Sequence, residues 1–321
     1  MTPLAWFKRL SRFMQIYGQL VMAMLFYGVS FVSTKIVLGA YGPVTVLAIR
    51  LILSSVFLVV LDRLIPVRGP GRAPATRAAP AIRKWPTRGD LPAILLVTLF
   101  QPLLYFLAEN FGLQYVSASI ASIIIATIPV FTPFVAGPFL GERIGPWGVV
   151  GLALSLGGVA IIVLERRLEA QFTPLGLVLV FVAVLAAVGY SVAVRKAPIR
   201  YRPLTLVKFQ SLIGMPIVLI IALVTEGLPR ELPATEVAVH LVYLGIFPSS
   251  VAFIFLSAGI RALGASRANV FTNLVPGFTA VFAWLLIGEA FTLQKVLGMA
   301  VVIAGVFAAQ RGRRVQAALP G

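Results

Sequence analysis

The chain has 321 residues, 60% of them hydrophobic, and it carries a formal net charge of +17. Soluble domains are roughly 45–50% apolar, so a mean hydropathy of +0.99 excludes an ordinary water-soluble protein. With no cysteine in the sequence, disulfide bonds, thiolate metal sites and cysteine nucleophiles are excluded as well. The charge does not indicate a nucleic-acid-binding protein, because no basic surface alternates with aromatic residues on a soluble domain.

Apolar runs of about 20 residues follow one another along the chain, and each is long enough as a helix to cross a roughly 30 Å hydrocarbon layer. Helices are required because backbone amides in lipid must bond within their own segment, and the runs lack the alternation of barrel strands. We predict an all-α membrane protein. Its ten transmembrane helices are predicted at residues 16–38, 44–61, 91–111, 117–140, 147–164, 175–194, 204–225, 237–260, 268–287 and 293–309.

The basic residues predict how this bundle is oriented. If the N-terminus is cytoplasmic, most of the 27 Lys and Arg residues lie in cytoplasmic segments, which is the positive-inside pattern. Both termini are therefore predicted to be cytoplasmic, in a bacterial inner membrane. The first run follows basic residues, as in a signal peptide, but its length favours an uncleaved helix. Residues 62–90 are rich in Pro, Arg and Gly, which predicts a cytoplasmic loop that is either a solvated tether or a regulatory or lipid-binding segment.

The sequence from 112 to 159 recurs 147 residues later, from 259 to 306, with Pro129 matching Pro276. Around the first helix of each half the offset is 161, because the first half has a longer loop.

Each repeat holds five helices, an odd number, so the second copy must be inverted. Inverted repeats are a common build of transporters and provide two packings that open to opposite sides; a duplicated bundle without a transport path is the alternative. The predicted organisation is an N-terminal tail at 1–15, a first repeat at 16–164, a second repeat at 165–309 and a C-terminal tail at 310–321.

Four stretches are characteristic, and the last two of them each combine a run of small residues with proline and a Gly-Glu pair. They are YGVSFVSTKIVL (27–38), AIRLIL (48–53), SASIASIIIATIPVFTPFVAGPFLGERI (117–144) and GASRANVFTNLVPGFTAVFAWLLIGEAF (264–291). The chain resembles the drug/metabolite transporter superfamily, specifically its EamA-like ten-helix exporters. This resemblance implies export of small metabolites or drugs through a central cavity, in a superfamily that spans amino acids, nucleosides, vitamins, sugars and drugs. ENFGLQY (109–115) departs from the commoner, uncharged end of the third helix.

Glu109 and Arg50 are charged residues inside predicted helices, and Lys35 approaches the same depth. An ionisable group within a spanning segment costs at least about 2.5 kcal/mol and is a functional candidate. A structural ion pair, a substrate- or proton-linked coupling role, and snorkelling toward the interface all remain open. His240, the single histidine, is predicted to lie at a membrane interface, with a pH-sensing role as the alternative.

Polar and aromatic residues within the helices are candidates for a substrate cavity, since amides and hydroxyls can orient a substrate and aromatic rings can stack on it. Interhelical hydrogen bonding is the alternative for each of them. Pro129 and Pro276 are predicted to break their helices in mid-membrane and to act either as hinges or as packing residues. The cavity candidates are Tyr27, Gln101, Tyr105, Asn110, Tyr190, Ser249, Ser250, Asn269 and Asn273, of which the last two are expected to share a helix face.

Together these features favour a secondary transporter that exports small organic metabolites by alternating access. Amino acids or amphipathic compounds are favoured as substrates, and proton antiport and facilitated diffusion both remain open. An intramembrane enzyme is disfavoured, because the chain offers no cysteine, one histidine and no paired membrane-buried acids. A channel, a lipid scramblase and an importer of the same fold are the alternatives. The expected partners are a small-molecule substrate, membrane lipids and, if transport is coupled, protons, with no nucleic acid and no cofactor, in a monomer or homodimer.

Overall fold

The structure, a computed structural model, describes residues 3–65, 86–140, 146–163, 173–197, 201–229, 232–290 and 292–318. These residues form helices joined by short turns, with no β-strand among them. In chain order the helices are α1 (Pro3–Leu38), α2 (Pro43–Leu64), α3 (Arg88–Tyr115), α4 (Ala118–Ile125 and Ile128–Leu140), α5 (Pro146–Val163), α6 (Pro174–Lys196), α7 (Pro203–Thr225), α8 (Thr235–Leu263), α9 (Ala265–Ile287) and α10 (Leu293–Ala318).

Eight of these helices are long and apolar enough to cross a membrane, whereas α5 and α10 each contain a shorter apolar stretch. The all-helical membrane fold is thus confirmed, while ten membrane crossings and cytoplasmic termini stay predictions. Helix α1 begins within the predicted tail 1–15, and α10 continues through most of the predicted tail 310–321. Most of the predicted loop 62–90, and the Gly-Glu pair at 141–142, lie outside the described residues.

The helix starts follow from local sequence. Pro43, Pro174 and Pro203 each stand at the first position of a helix, where the missing N–H costs nothing and the fixed φ suits the first turn. The Ser117 hydroxyl accepts a hydrogen bond from a first-turn amide of α4, and the Thr173 hydroxyl does so for α6. Short connections therefore separate long apolar helices with defined ends.

The helices pack in pairs that the duplication relates to one another. Helix α1 packs on α8 and α9, and its counterpart α6 packs on α3 and α4, while α2 packs on α7 and α5 on α10. We call the face of the bundle at which α1 begins the proximal face and the opposite one the distal face. Helices α2 and α7 also share a start motif, because Pro43 and Thr45 match Pro203 and Thr205 at an offset of 160.

The contact between α5 and α10 depends on glycine. A Cβ on Gly158 would lie 2.7 Å from the backbone oxygen of Gly298, and a Cβ on Gly305 would lie 2.7 Å from that of Gly151. Ser155 donates to the backbone oxygen of Val302, 147 residues away, at 3.3 Å. Ser155 and Val302 correspond at the offset of 147, and so do Gly151 with Gly298 and Gly158 with Gly305. The equivalent helices of the two copies therefore contact each other, and small residues let their backbones approach closely.

Gly158→Ala should therefore lower the thermal unfolding temperature of the detergent-solubilised protein, since the added methyl group must push α5 from α10 at a cost of about 1–3 kcal/mol. Gly157→Ala is the matched control, because a Cβ at the neighbouring position meets nothing within 4 Å. Equal unfolding temperatures for the two variants would contradict the close α5–α10 contact.

Helices α3 and α8 are interrupted at equivalent points. Helix α3 widens over Leu99–Leu104, where Gln101 has an extended backbone with φ −146° and ψ 127°. Helix α8 widens over Phe247–Val251. Phe100 and Phe247 correspond at the offset of 147. The two irregular turns are thus related by the duplication, although neither was predicted from the sequence.

Helices α4 and α9 are interrupted next to their prolines. A turn at Ala126 and Thr127 divides α4, and α9 tightens over Val270–Leu274. Pro129 and Pro276 are each the second residue of the helical segment that follows, where proline is tolerated because that amide has no intrahelical partner. The helices are interrupted where the prolines predict it, and the role of these residues as hinges stays a prediction.

Candidate functional site

The interrupted helices surround a central cavity of about 30 Å³, which is room for one or two water molecules. Five of the predicted cavity residues line it, namely Tyr27, Gln101, Tyr105, Tyr190 and Asn269. The lining residues that sequence reasoning missed are Phe31, Ile125, Ile128, Ala187, Ser191, Leu256, Thr272 and Val275. Their apolar members look like ordinary core residues. The signal that could have found Ile125, Ile128, Thr272 and Val275 is their position beside the helix interruptions at the two prolines.

The cavity lies where the two repeats meet. Ile125 of α4 and Thr272 of α9 line it and are 147 residues apart, as are Ile128 and Val275. The equivalent segments of both copies therefore face one shared space. Interrupted backbone is tolerated at membrane depth only where protein or a cavity surrounds it, and Ile125 and Ile128 are both 3% exposed.

An aromatic cluster forms one wall. The ring of Phe253 on α8 lies 5.6 Å from Tyr27, 5.6 Å from Phe106 and 5.7 Å from Tyr190, each in an edge-on arrangement. Phe106 and Phe253 correspond at the offset of 147, so equivalent rings from the two repeats touch. Edge-on aromatic pairs stabilise a protein by more than the burial of their apolar area alone, so these contacts stabilise this wall of the cavity.

Asn269 connects three helices at the cavity. Its side-chain amide donates to Thr132 of α4 and to Ser191 of α6, both at 3.0 Å. Asn273 neither lines the cavity nor has a hydrogen-bond partner for its side-chain oxygen among the described residues. The prediction that Asn269 and Asn273 share a helix face assumes α-helical spacing between them. The chain instead forms a tighter 3-10 helix over Val270–Leu274, so four residues no longer correspond to one α-helical turn.

Arg50 contacts Phe106 and Glu109 contacts Tyr105, two adjacent residues of α3, but the charged groups do not share a hydrogen bond. Arg50 is fully buried, with its Cζ 4.0 Å from the centre of the Phe106 ring on α3. Its Nε donates to Ser249 at 3.2 Å, whereas Nη2 has no partner among the described residues. Glu109 is 3% exposed; its Oε1 accepts from Tyr105 at 3.4 Å, and Oε2 has no partner there.

The remaining polar candidates hold helices together. Ser249 and Ser250 belong to a hydroxyl cluster in which Ser54 of α2 lies 3.1 Å from Ser211 of α7 and 2.8 Å from Ser250 of α8. Asn110 donates to the backbone oxygen of Pro43 at 2.9 Å, at the start of α2. These contacts are interhelical hydrogen bonds, which was the alternative to a cavity role.

Lys35 and His240 also make structural contacts. Lys35 donates to the backbone oxygens of Leu113 and Val116 at the C-terminal end of α3, where a cation complements the helix dipole. His240, on α8, lies 3.0 Å from the Ser33 hydroxyl of α1 and is half-buried. Neither residue lines the central cavity.

Polar contacts join neighbouring helices at both ends of the bundle. At the distal face the Glu226 carboxylate, beyond the end of α7, accepts from the first amides of α2 at 3.0 and 2.8 Å. At the proximal face Lys208 pairs with Asp62 at 2.7 Å. There too, Tyr201 donates to Asp90 and accepts at its backbone oxygen from Arg261. A central cavity of about 30 Å³ is too small for an organic substrate in this conformation.

Comparison with known proteins identifies the family. The model of the EamA-like transporter family matches residues 15–164 and 174–309, one match in each repeat. The chain belongs to this family. Membership agrees with the motif resemblance, with two copies of one unit, and with an integral membrane protein.

Relatives of this EamA-like protein are described as transporters. A probable terminal-alkyne amino-acid exporter of Streptantibioticus cattleyicolor is 28% identical over 306 residues, which cover 94% of this chain and 96% of that protein. An uncharacterized transporter of Archaeoglobus fulgidus is 25% identical over 299 residues, which cover 92% of this chain and 98% of that one. A solved crystal structure matches with a TM-score of 0.66 at 18% identity, over 94% of this chain and 99% of the other, which supports the fold.

Asn269→Leu should lower the thermal unfolding temperature of this EamA-like protein, because two interhelical hydrogen bonds worth about 0.6–1.7 kcal/mol each are lost. Asn273→Leu is the matched control, with the same change four residues away at a side-chain oxygen that has no partner among the described residues. Unfolding followed in detergent by light scattering would measure both. A variant at position 273 as destabilised as the one at 269 would contradict the assigned role of Asn269.

Proposed function

We propose that the protein is a secondary transporter that exports a small organic metabolite, with the central cavity as its substrate site. The observation that carries this proposal is the position of the cavity, which lies between the equivalent interruptions of α4 and α9 in the two repeats. Transporters commonly bind substrate at such discontinuous helices near the membrane midplane. In this proposal the proximal face is cytoplasmic, as the basic residues predict, and the membrane is a bacterial inner membrane.

Alternating access follows from exchanging the closing contacts at the two faces. Opening the distal face separates Glu226 from α2, while the Asp62–Lys208 pair and the Tyr201 contacts keep the proximal face closed. Opening the proximal face does the reverse. Because the two packings use equivalent helices, they differ little in free energy, and a substrate with modest differential affinity shifts their populations.

Amino acids or amphipathic compounds are the favoured substrates. Tyr27, Tyr105 and Tyr190 provide aromatic surface and hydroxyl groups at the cavity. The relative from Streptantibioticus cattleyicolor is described as a probable exporter of a terminal-alkyne amino acid, which agrees with that preference. The cavity must widen for any of these molecules, so substrate enters through a conformation in which one face is open.

Counterflow in proteoliposomes tests the proposal directly. Vesicles preloaded with unlabelled amino acids, nucleosides or cationic drugs should accumulate the labelled form of a true substrate transiently above its external concentration, because exchange through a carrier is faster than net flux. Empty liposomes are the control. The same assay with an imposed pH gradient separates proton antiport from facilitated diffusion. A substrate that equilibrates without overshoot would indicate a channel and contradict alternating access, and preference for uptake over exit in oriented vesicles would indicate an importer.

A further inference from the structure

Two opposite charges are buried beside the cavity without neutralising each other through a hydrogen bond. Arg50 is 0% exposed and Glu109 3% exposed. Among the described residues, Nη2 of Arg50 and Oε2 of Glu109 have no hydrogen-bond partner. The bonds that they do make are long. Arg50 donates to Ser249 at 3.2 Å and to Thr34 at 3.5 Å, and Tyr105 donates to Glu109 at 3.4 Å, whereas charge-assisted bonds normally measure about 2.5–2.9 Å.

The architecture of the bundle does not require these charges. At the offset of 160 that aligns the starts of α2 and α7, Arg50 corresponds to Gln210, and at the offset of 147 Glu109 corresponds to Leu256. The second repeat therefore builds the same helices with uncharged residues at both positions. Buried charges are retained at a cost in stability, so a charged pair present in one copy alone points to a ligand.

Both charges adjoin the cavity through shared side chains. Tyr105 lines the cavity and donates its hydroxyl to Glu109. The Arg50 guanidinium lies on Phe106, which contacts Phe253, and Phe253 in turn contacts the cavity residue Tyr27. The Tyr27 hydroxyl and the Gln101 side-chain oxygen at the cavity also have no partner within the described chain. Unpartnered polar atoms of α1, α2 and α3 thus lie at the cavity or are linked to it through these side chains.

We propose that Arg50 and Glu109 bind the two charges of an α-amino acid zwitterion, a proposal that rests on the transport function above. The substrate carboxylate accepts from Nη2 of Arg50, and the substrate ammonium group donates to Oε2 of Glu109. The side chain of the amino acid occupies the aromatic-lined cavity when one face opens. Because the two protein charges sum to zero, a zwitterion leaves the occupied site neutral, whereas an amine or a carboxylic acid leaves one buried charge uncompensated.

Binding to the purified protein in lipid nanodiscs tests this proposal by calorimetry. The probes are L-alanine, L-leucine, L-methionine and L-phenylalanine, each compared with its decarboxylated amine and its desamino acid. At least one of these amino acids should bind about tenfold more tightly than either of its analogues, as expected when each lost contact is a hydrogen bond to a buried charge. The proposal would be overturned if every amino acid that binds is matched by one of its analogues, or if no amino acid binds.

Substitutions test which protein charge binds which charged group of the amino acid. Arg50→Gln should lose the preference for the amino acid over the amine, and Glu109→Gln should lose the preference over the acid. Lys35→Gln is the matched control: it removes a cation that binds backbone oxygens away from the cavity, so it should change all three affinities by the same factor. If Arg50→Gln does not fold, Arg50→Lys should keep the preference with weaker binding. A Glu109→Gln or Arg50→Gln variant with unchanged preferences would overturn the assignment.

Counterflow separates this proposal from the transport function on which it rests. Overshoot with a nucleoside or cationic drug, but no amino-acid binding, would leave transport standing and overturn the zwitterion site. Selective amino-acid binding with no counterflow of any compound would support the site and overturn transport.

Discussion

Backbone hydrogen bonding is the constraint on which the rest of the structure depends. In lipid, an amide or carbonyl without an internal partner costs several kcal/mol, so a helix can be interrupted only where the protein surrounds it. The interruptions of α3, α4, α8 and α9 all contain buried residues, as this rule requires. Nearby hydroxyls donate further hydrogen bonds to backbone oxygens there: Thr127 donates to Ile124 at 2.6 Å, and Ser250 to Gly245 at 2.9 Å. The interruptions of α3, α4 and α9 each contribute residues to the cavity lining, among them Gln101, Ile125 and Thr272.

The duplication explains why these segments meet in equivalent pairs. Residues that differ between the two copies provide the chemistry that could select a substrate. Contacts between equivalent residues, such as Phe106 with Phe253 and Ser155 with Val302, join the two copies. Arg50, Glu109 and Asn269 differ from their counterparts in the other copy, which are Gln210, Leu256 and Ser122. Selectivity for a substrate without twofold symmetry needs such differences.

Sequence reasoning predicted much of the fold, because each feature leaves a local mark. Run length predicts the helices, the offset between Pro129 and Pro276 predicts equivalent interruptions in α4 and α9, and aromatic residues within helices predict part of the cavity lining. The widened turns of α3 and α8 escaped prediction, although Pro102 and Pro248 lie within them, since proline can also be accommodated in an unbroken membrane helix.

Which helices lie side by side in the bundle could not be predicted from the sequence. Helices that are apolar all round carry no amphipathic face to indicate which side meets which partner. The Ser54–Ser211–Ser250 cluster and the contact of Glu226 with α2 therefore emerged from the structure alone. For the same reason the depth of Arg50 and Glu109 was predictable, but the absence of a hydrogen bond between them was not.

The central claim is that the two repeats exchange conformations, and distances between spin labels at the two faces test it most directly. The chain has no cysteine, so labels attach only where cysteine is introduced. Tyr115 and Glu236 form an exposed pair at the distal face, and the duplication relates them to the exposed Ala262 and Gly89 at the proximal face. In nanodiscs, substrate should move the two distance distributions in opposite directions, one pair separating as the other closes. Two distributions that stay fixed, or that widen together, would contradict the account.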